Sequence, residues 1–112
     1  MQVIARARFV RRSPLKVRLV ARVVKGMKVA EALSVLEFMP QHAAKDVAKV
    51  IKSASANAEH NYNLDPDKLV VTNVIVNDGP RLKRYRPRAR GLVHPYMRRL
   101  CHIVAIVEDK AV

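Results

Sequence analysis

The sequence has few of the residues on which catalysis and covalent stabilisation depend. Cys101 is its single cysteine, so an intramolecular disulfide is impossible and a reducing compartment is expected. Only three glycines occur in 112 residues, and none forms a phosphate-cradling loop. The four histidines are scattered and have no second cysteine at metal-ligand spacing. We therefore expect no cofactor and no metal site.

Cys101 is followed directly by His102, which is the one place where a nucleophile and a base stand together. Neighbouring residues of a strand point to opposite faces, so the two side chains cannot form a catalytic dyad. The sequence therefore predicts that Cys101 is a small buried residue and that the chain is not an enzyme.

Long apolar runs are also missing. The longest, residues 103–107, is far too short to cross a bilayer. There is no internal repeat and no linker, so residues 1–112 are expected to form a single domain around one core. The first twelve residues are rich in arginine, as organellar transit peptides are, but no cleavage pattern follows. Ala5, Ala7 and Phe9 alternate with Arg6 and Arg8, which favours a half-exposed strand.

Acidic residues are scarce, with 9 Asp and Glu against 22 Lys and Arg, a formal charge of +13. Such a charge is costly to gather in a compact monomer without counter-charge. Nucleic acid is the usual partner that relieves it, because neutralised phosphates release condensed counterions. An anionic membrane surface is the competing polyanion.

The most basic stretch lies between two β-branched segments, LVVTNVIV and LCHIVAIV, which indicate strands. Strands that close on each other predict a β-hairpin over residues 80–100, with its tip at Arg88 to Gly91. Each arm would project about 30 Å. Pro80, Pro87 and Pro95 oppose pairing with a further strand. The hairpin carries eight cations: Arg81, Lys83, Arg84, Arg86, Arg88, Arg90, Arg98 and Arg99.

An arm so long and so poor in apolar residues needs an external polyanion to order it. Two tyrosines in it, Tyr85 and Tyr96, have two interpretations. They could stack on unpaired bases, or they could pack against each other across the two arms. The sequence does not favour one over the other.

Three helices are predicted between the first strand and the hairpin. The first begins with Ser13 as N-cap before a proline and ends at Gly26, with Leu15, Leu19 and Val23 pointing one way. Its remaining surface and the first strand form a second basic surface, made of Arg6, Arg8, Arg11, Arg12, Lys16, Arg18, Arg22 and Lys25.

The second helix is predicted over residues 29–39 and the third over residues 41–60. Their inward residues are expected to be Val29, Leu33 and Leu36 in the second, and Val47, Ile51, Ala54 and Ala58 in the third. Asn57, Asn61 and Asn63 at the end of the third helix either cap it or meet RNA, and capping is favoured. The predicted fold class is α+β: a small three-stranded antiparallel sheet covered on one face by three helices, with a long basic β-hairpin extension.

Several stretches of the chain together resemble the large-subunit ribosomal protein twenty-two family of bacterial and organellar type. They are SPLKVRLVARVVKG from Ser13, EAL from Glu31, LEFMP from Leu36, SASANAEHN from Ser53, DKLVVTNVIVNDGP from Asp67, LKRYRPRARG from Leu82 and HIVAIV from His102. The sequence departs from the family pattern at Leu92 and at Leu100-Cys101, where members usually carry a basic residue and a hydroxyl-rich segment.

This resemblance implies a structural protein whose hairpin reaches along ribosomal RNA to the wall of the peptide exit tunnel. Ser13, Lys16, Val17 and Arg18 correspond to the RNA-facing start of the first helix. RNA contacts are also expected from Tyr85 and from the cations of both basic surfaces. The implied tunnel tip consists of Pro87, Arg88, Ala89, Arg90 and Gly91.

The implied partners are large-subunit ribosomal RNA, neighbouring ribosomal proteins and, at the tip, the nascent polypeptide. A membrane and a homo-oligomer are not expected. The implied location is the cytoplasmic ribosome, with an organellar ribosome as the alternative. A DNA-architectural protein that inserts a basic β-ribbon into a groove is the competing interpretation.

Overall fold

The computed structural model describes residues 1–109 and contains a three-stranded antiparallel sheet and three helices. The strands are β1 (Gln2–Val10), β2 (Leu69–Pro87) and β3 (Val93–Asp109), in the order β1-β3-β2. The helices are α1 (Pro14–Val24), α2 (Val29–Phe38) and α3 (Ala43–Tyr62), with short 3-10 turns at Pro66–Lys68 and Ala89–Gly91. This arrangement confirms the predicted α+β fold.

The core lies between the helices and one face of the sheet. Along β3, Cys101, Ile103, Ala105 and Val107 are buried, and the residues between them are only partly covered. This period of two shows that the helices cover a single face. The inward residues predicted for α3 are all buried, and in α2 Leu33 is partly buried beside its two fully buried neighbours on that stripe.

The apolar stripe predicted for α1 lies on the outside of that helix. Leu15, Leu19 and Val23 are 62%, 59% and 43% exposed. The residues that α1 buries are Val17, Val20, Ala21 and Val24. The helix carries two apolar stripes, and the one made of short side chains is packed into the core, where α1 lies against β2.

A bulge in β1 interrupts the alternation that the sequence suggested for Phe9. The pairing of β1 with β3 shifts register between Ala7 and Val10, and Phe9 has a φ of 57°. Its side chain is 61% exposed, and its ring meets that of His102 edge to face at 5.1 Å. The Phe9 N–H donates to His102 Nδ1 at 3.1 Å. A bulge inserts one unpaired residue, so Phe9 does not share the inward face of Ala5.

The ends of the helices follow most of the predicted signals, although α3 spans Ala43–Tyr62 rather than residues 41–60. Ser13 occupies the N-cap of α1, but its side chain makes no capping hydrogen bond. Gly26 follows α1 with a φ of 86°. Asn63 caps α3 in the left-handed conformation with a φ of 53°, and Leu64 N–H donates to Ala58 O. The capping interpretation of the asparagine cluster is thus confirmed at Asn63.

The first residue of the chain lies beside the end of β3. Gln2 pairs with Glu108, and the Met1 ammonium group donates to Asp109 Oδ1 at 3.2 Å. Both lie at the end of the sheet opposite to the turn between β2 and β3. Over residues 1–109, no helix is long and apolar enough to cross a membrane.

Candidate nucleic-acid interface

Strands β2 and β3 pair with each other well beyond the sheet. After a register shift between Asp78 and Arg81, pairing continues from Arg81 opposite Arg99 to Pro87 opposite Val93. We call residues 80–99 the arm. The chain reverses at Arg90 and Gly91, whose φ angles are 61° and 69°. Arg88 N–H donates to Leu92 O at 2.6 Å and closes this turn.

The arm makes the molecule long and narrow. The principal extents are 65, 25 and 17 Å, and the radius of gyration is 17.1 Å. A compact chain of this length would have a radius of gyration of about 13 Å. The side chains of the arm therefore lie far from the core, and most of them are exposed.

The root of the arm is a bulge in which Gly79 and Pro80 lie opposite Leu100. A Cβ atom at Gly79 would come within 3.1 Å of the Leu100 backbone, which is closer than most Cβ contacts, so glycine suits this position. Arg18 of α1 fastens the same region. Its Nη2 donates to Val76 O at 3.0 Å and lies 3.7 Å from Asp78 Oδ1. This guanidinium, predicted to bind RNA, is also engaged within the protein.

The arm has eight cations, of which Arg88 and Arg90 lie at the tip and the other six are divided evenly between the two faces of the paired strands. Residues that pair across antiparallel strands share a face, and neighbours along a strand alternate. The register therefore places three cations on each side, with Arg84, Arg86 and Arg98 on the first face and Arg81, Lys83 and Arg99 on the second. An anion that meets only one face would leave three positive charges unpaired.

The two tyrosines of the arm lie on opposite faces. Tyr96 pairs with Arg84 and belongs to the first face, whereas Tyr85 pairs with Pro95 and belongs to the second. Tyr96 is contacted by two guanidinium groups, with the Cζ atoms of Arg86 and Arg98 at 4.7 and 5.5 Å from its ring centroid. Tyr85 is 64% exposed. The interpretation that the two rings pack against each other is therefore wrong.

Part of the second basic surface meets the arm across a cleft. The cleft has a volume of about 850 Å³ and lies between the start of α1, the start of α3 and the arm near its root. Its cations come from both sides and are Arg11, Arg12, Lys16, Arg84, Arg98 and Arg99. Ser13, Gln41 and His42 also line it. Gln41 and His42 could not be predicted from the sequence, because only the packing of α3 beside α1 brings them here.

The other predicted RNA contacts of the body lie outside the cleft. Arg6 and Arg8 are exposed on β1, Arg22 is exposed on α1, and Lys25 is exposed directly after that helix. Val17, which the family resemblance placed at the RNA-facing start of α1, is fully buried and faces the core. The exposed predicted residues thus form one continuous arm and a body surface, and the cleft is a concave part of that surface.

Cys101 lies inside the core and is unsuited to chemistry. Its side chain is fully buried, and burial raises the pKa of the Cys101 thiol above its usual value near 9.0, with Asp46 adding to the effect. This confirms the prediction of a small buried cysteine. Within residues 1–109, no group of three potential metal ligands lies together.

Residues 5–108 match the family described as ribosomal protein L22p/L17e. The chain belongs to this family. It is 52% identical over 109 residues to the large ribosomal subunit protein uL22 of Herpetosiphon aurantiacus, covering 97% of this chain and 96% of that one. It is 49% identical over 111 residues to the uL22 of Chloroflexus aggregans, covering 99% and 98% of the two chains. With the uL22 of Latilactobacillus sakei it shares 51% identity over 106 residues, 95% and 91% of the chains.

Membership of this family confirms the resemblance seen in the sequence. The chain is a large-subunit ribosomal protein and a structural component rather than an enzyme. Its bacterial relatives indicate a ribosomal, cytoplasmic location. The family assignment also favours the ribosomal interpretation over the DNA-architectural one.

Proposed function

We propose that this protein binds large-subunit ribosomal RNA, assists assembly of the subunit and lines the peptide exit tunnel with the tip of its arm. The observation that carries the proposal is the distribution of charge on the arm. Three cations lie on each face of the paired strands, two more lie at the tip, and no acidic residue occurs between Asp78 and Glu108. Such an arm is suited to RNA that surrounds it, because phosphates on one side alone would leave half of the charge unpaired.

Residues 1–112 act as one RNA-binding domain with residues 80–100 as its extension. The body anchors the protein through its own basic surface, and the arm passes between RNA segments. Guanidinium groups suit this task because they bind phosphate bidentately and stack on bases. RNA is recognised here through phosphates and shape, which positions the protein without reading a base sequence.

The arm has little apolar support of its own, so RNA contacts stabilise its position. The contacts of Tyr96 with Arg86 and Arg98 stiffen the first face before binding. Neighbouring ribosomal proteins complete the surroundings of the body, and the chain acts as a single copy rather than as a homo-oligomer.

The tip is the part of the molecule that meets the nascent polypeptide. It consists of Pro87, Arg88, Ala89, Arg90 and Gly91, all exposed. Arg88 and Arg90 give it positive charge at a distance from the body that only the full length of the arm provides. Nascent chains passing the tip thus meet a compact turn held by its own hydrogen bond.

The test is sedimentation of tagged protein from a cell lysate at about 0.5 M salt, where loose electrostatic binding is screened. The full-length protein is expected in the large-subunit peak, and a variant lacking residues 80–99 is expected to be depleted from it. Full-length protein at the top of the gradient would overturn the proposal.

A matched pair of variants separates the charge of the arm from charge in general. Replacing Arg84, Arg86 and Arg98 by Gln removes three cations from the arm. Replacing Lys45, Lys49 and Lys52 by Gln removes three exposed cations from α3, outside the predicted RNA-binding surface. Only the first variant is expected to leave the large-subunit peak. Equal behaviour of the two would assign binding to net charge and contradict a role specific to the arm.

A further inference from the structure

The cleft between body and arm has an apolar lining that phosphate binding does not explain. Leu19, Leu82 and Met97 line it among the cations. Leu19 is 59% exposed and Met97 is 52% exposed. Exposed apolar side chains placed together in a concave site indicate contact with a ligand that has an apolar surface of its own.

The charge of the cleft indicates an anionic ligand. Six cations line it, and none of its lining residues is acidic. Arg12 is the member of the set with a carboxylate partner in the described part of the chain, since its Nε donates to Asp46 Oδ2 at 2.8 Å. The other five cations have no acidic partner among residues 1–109. The ligand must therefore carry several negative charges beside its apolar surface.

An unpaired nucleotide meets both conditions, and a double helix does not. In a duplex the bases are stacked inside and only phosphates and sugars face a protein side chain outside the grooves. In single-stranded RNA the base is free to leave the stack and lie against apolar side chains or a guanidinium plane. The volume of about 850 Å³ lies within the range of roughly 300–1,000 Å³ found for sites that enclose small molecules.

We propose that this cleft holds one unpaired RNA nucleotide, with its base against Leu19 and Met97 and its flanking phosphates on the cations of the two rims. The inference rests on the proposed RNA-binding function and adds to it the class of ligand. On this proposal the arm binds phosphates of the RNA, whereas the cleft binds an unpaired base.

Two features of the site prepare it for a base. Arg98 on the arm rim is held against the Tyr96 ring at 5.5 Å, which limits the orientations of its guanidinium. His42 lines the body rim and supplies an imidazole ring, a group on which bases stack.

The test uses short RNA and the protein carrying ¹³C-labelled methionine methyl groups. The probes are a three-nucleotide RNA of adenosines, the same RNA with an abasic central position, and an RNA duplex with blunt ends. Met97 reports on the cleft, while Met27 and Met39 pack against the core and serve as internal references. The intact trinucleotide is expected to shift the Met97 signal, and the abasic RNA is expected to bind about tenfold more weakly.

Matched variants assign this preference to the cleft. Leu19→Ala with Met97→Ala shortens its apolar lining, and Ile4→Ala with Ile75→Ala removes exposed apolar side chains that are 44% and 38% exposed on the sheet. Circular dichroism checks that both variants are folded. Fluorescence anisotropy of dye-labelled RNA measures the binding. The cleft variant is expected to bind intact and abasic RNA equally. The sheet variant should keep the preference.

Three outcomes would overturn the inference and leave the proposed function in place. They are equal binding of intact and abasic RNA by the wild-type protein, a shift of Met97 by the duplex as large as by the trinucleotide, and loss of the preference in the sheet variant. Failure of the proposed function has a different result, which is absence of the full-length protein from the large-subunit peak.

Discussion

Gly79 is the residue on which the change from sheet to arm depends. The bulge places Gly79 and Pro80 opposite Leu100, and the backbone of Leu100 lies within 3.1 Å of where a Cβ would be. Pro80 fits the same place because a bulged residue need not donate to the ladder. Gly79 thus lets the two backbones approach closely, and Pro80, which has no N–H, needs no hydrogen-bond partner in the bulge.

Replacing Gly79 by Ala is expected to lower the free energy of unfolding by about 1–3 kcal/mol, because the added methyl group meets backbone rather than a flexible side chain. Thermal denaturation of the free protein measures the change. Asn77→Ala, on an exposed neighbouring position of β2, is the control and should lie within about 0.5 kcal/mol of wild type. Equal stability of all three proteins would show that the bulge adjusts without cost.

Cys101 is expected to react slowly with thiol reagents at about pH 8 in the folded protein and rapidly in denaturant. Burial raises the pKa of its thiol above the usual value near 9.0, and the thiolate is the reactive form. Stability from the buried neutral thiol is complete below that usual value and is lost as the pH rises above it. Ser53→Cys in a Cys101→Ala background supplies an exposed thiol for comparison. Similar rates for the two thiols would contradict the burial of Cys101.

Helix α1 illustrates how far the pattern of a single element can predict its orientation. Its limits follow from Ser13, Pro14 and Gly26, and were predicted. Its buried face was not, because leucine and valine stripes at helical spacing are both apolar and only contact with β2 distinguishes them. The bulge at Phe9 escaped prediction for a related reason, since alternation continues through it in the sequence.

Val20→Ala is expected to destabilise the protein by about 2 kcal/mol, since it removes two buried carbons at about 0.8 kcal/mol or more each. Leu19→Ala removes three carbons from an exposed position and should change stability by no more than about 0.5 kcal/mol. Chemical denaturation of both variants gives the comparison. A larger loss of stability in Leu19→Ala than in Val20→Ala would indicate that the stripe containing Leu19, as predicted from the sequence, is the buried face of α1.

The candidate interface was predictable where its residues follow one another along the chain. The cations of the arm, its tip and its flanking strands are visible in the order of the residues, because charge and β-branching mark them directly. The division of the arm into two faces needed the register of β2 and β3. The cleft was not predictable, since α1, α3 and the arm supply its lining from distant positions.

At the scale of the whole molecule, charge and shape reinforce each other. A net charge of +13 is spread along a body and an arm that together measure 65 Å. This extension reduces the repulsion that the same charges would have in a compact chain and exposes them to several RNA segments at once. Affinity for RNA should therefore fall strongly as the salt concentration rises and should change little with base sequence.

The logarithm of the binding constant for ribosomal RNA is expected to fall with the logarithm of salt concentration at a slope of about −6, if about eight arm cations meet phosphate. Titrations over a series of salt concentrations measure the slope. Removal of residues 80–99 should make the slope much shallower and leave the part contributed by the basic surface of the body. A deletion variant with an unchanged slope would place the phosphate contacts on the body instead.

The pairing of Met1 with Asp109 also fixes how the molecule responds to mechanical load. Tension applied between these two residues separates β1 from β3 at one end and breaks their hydrogen bonds one after another. Tension applied between Met1 and the tip pulls the same antiparallel strands past each other along their length. All the hydrogen bonds of the ladder, which run across the strands, are then loaded together. The sheet is therefore expected to resist a force between Met1 and the tip, which loads all the hydrogen bonds together. It is expected to yield more readily to a force between Met1 and Asp109, which breaks them one at a time.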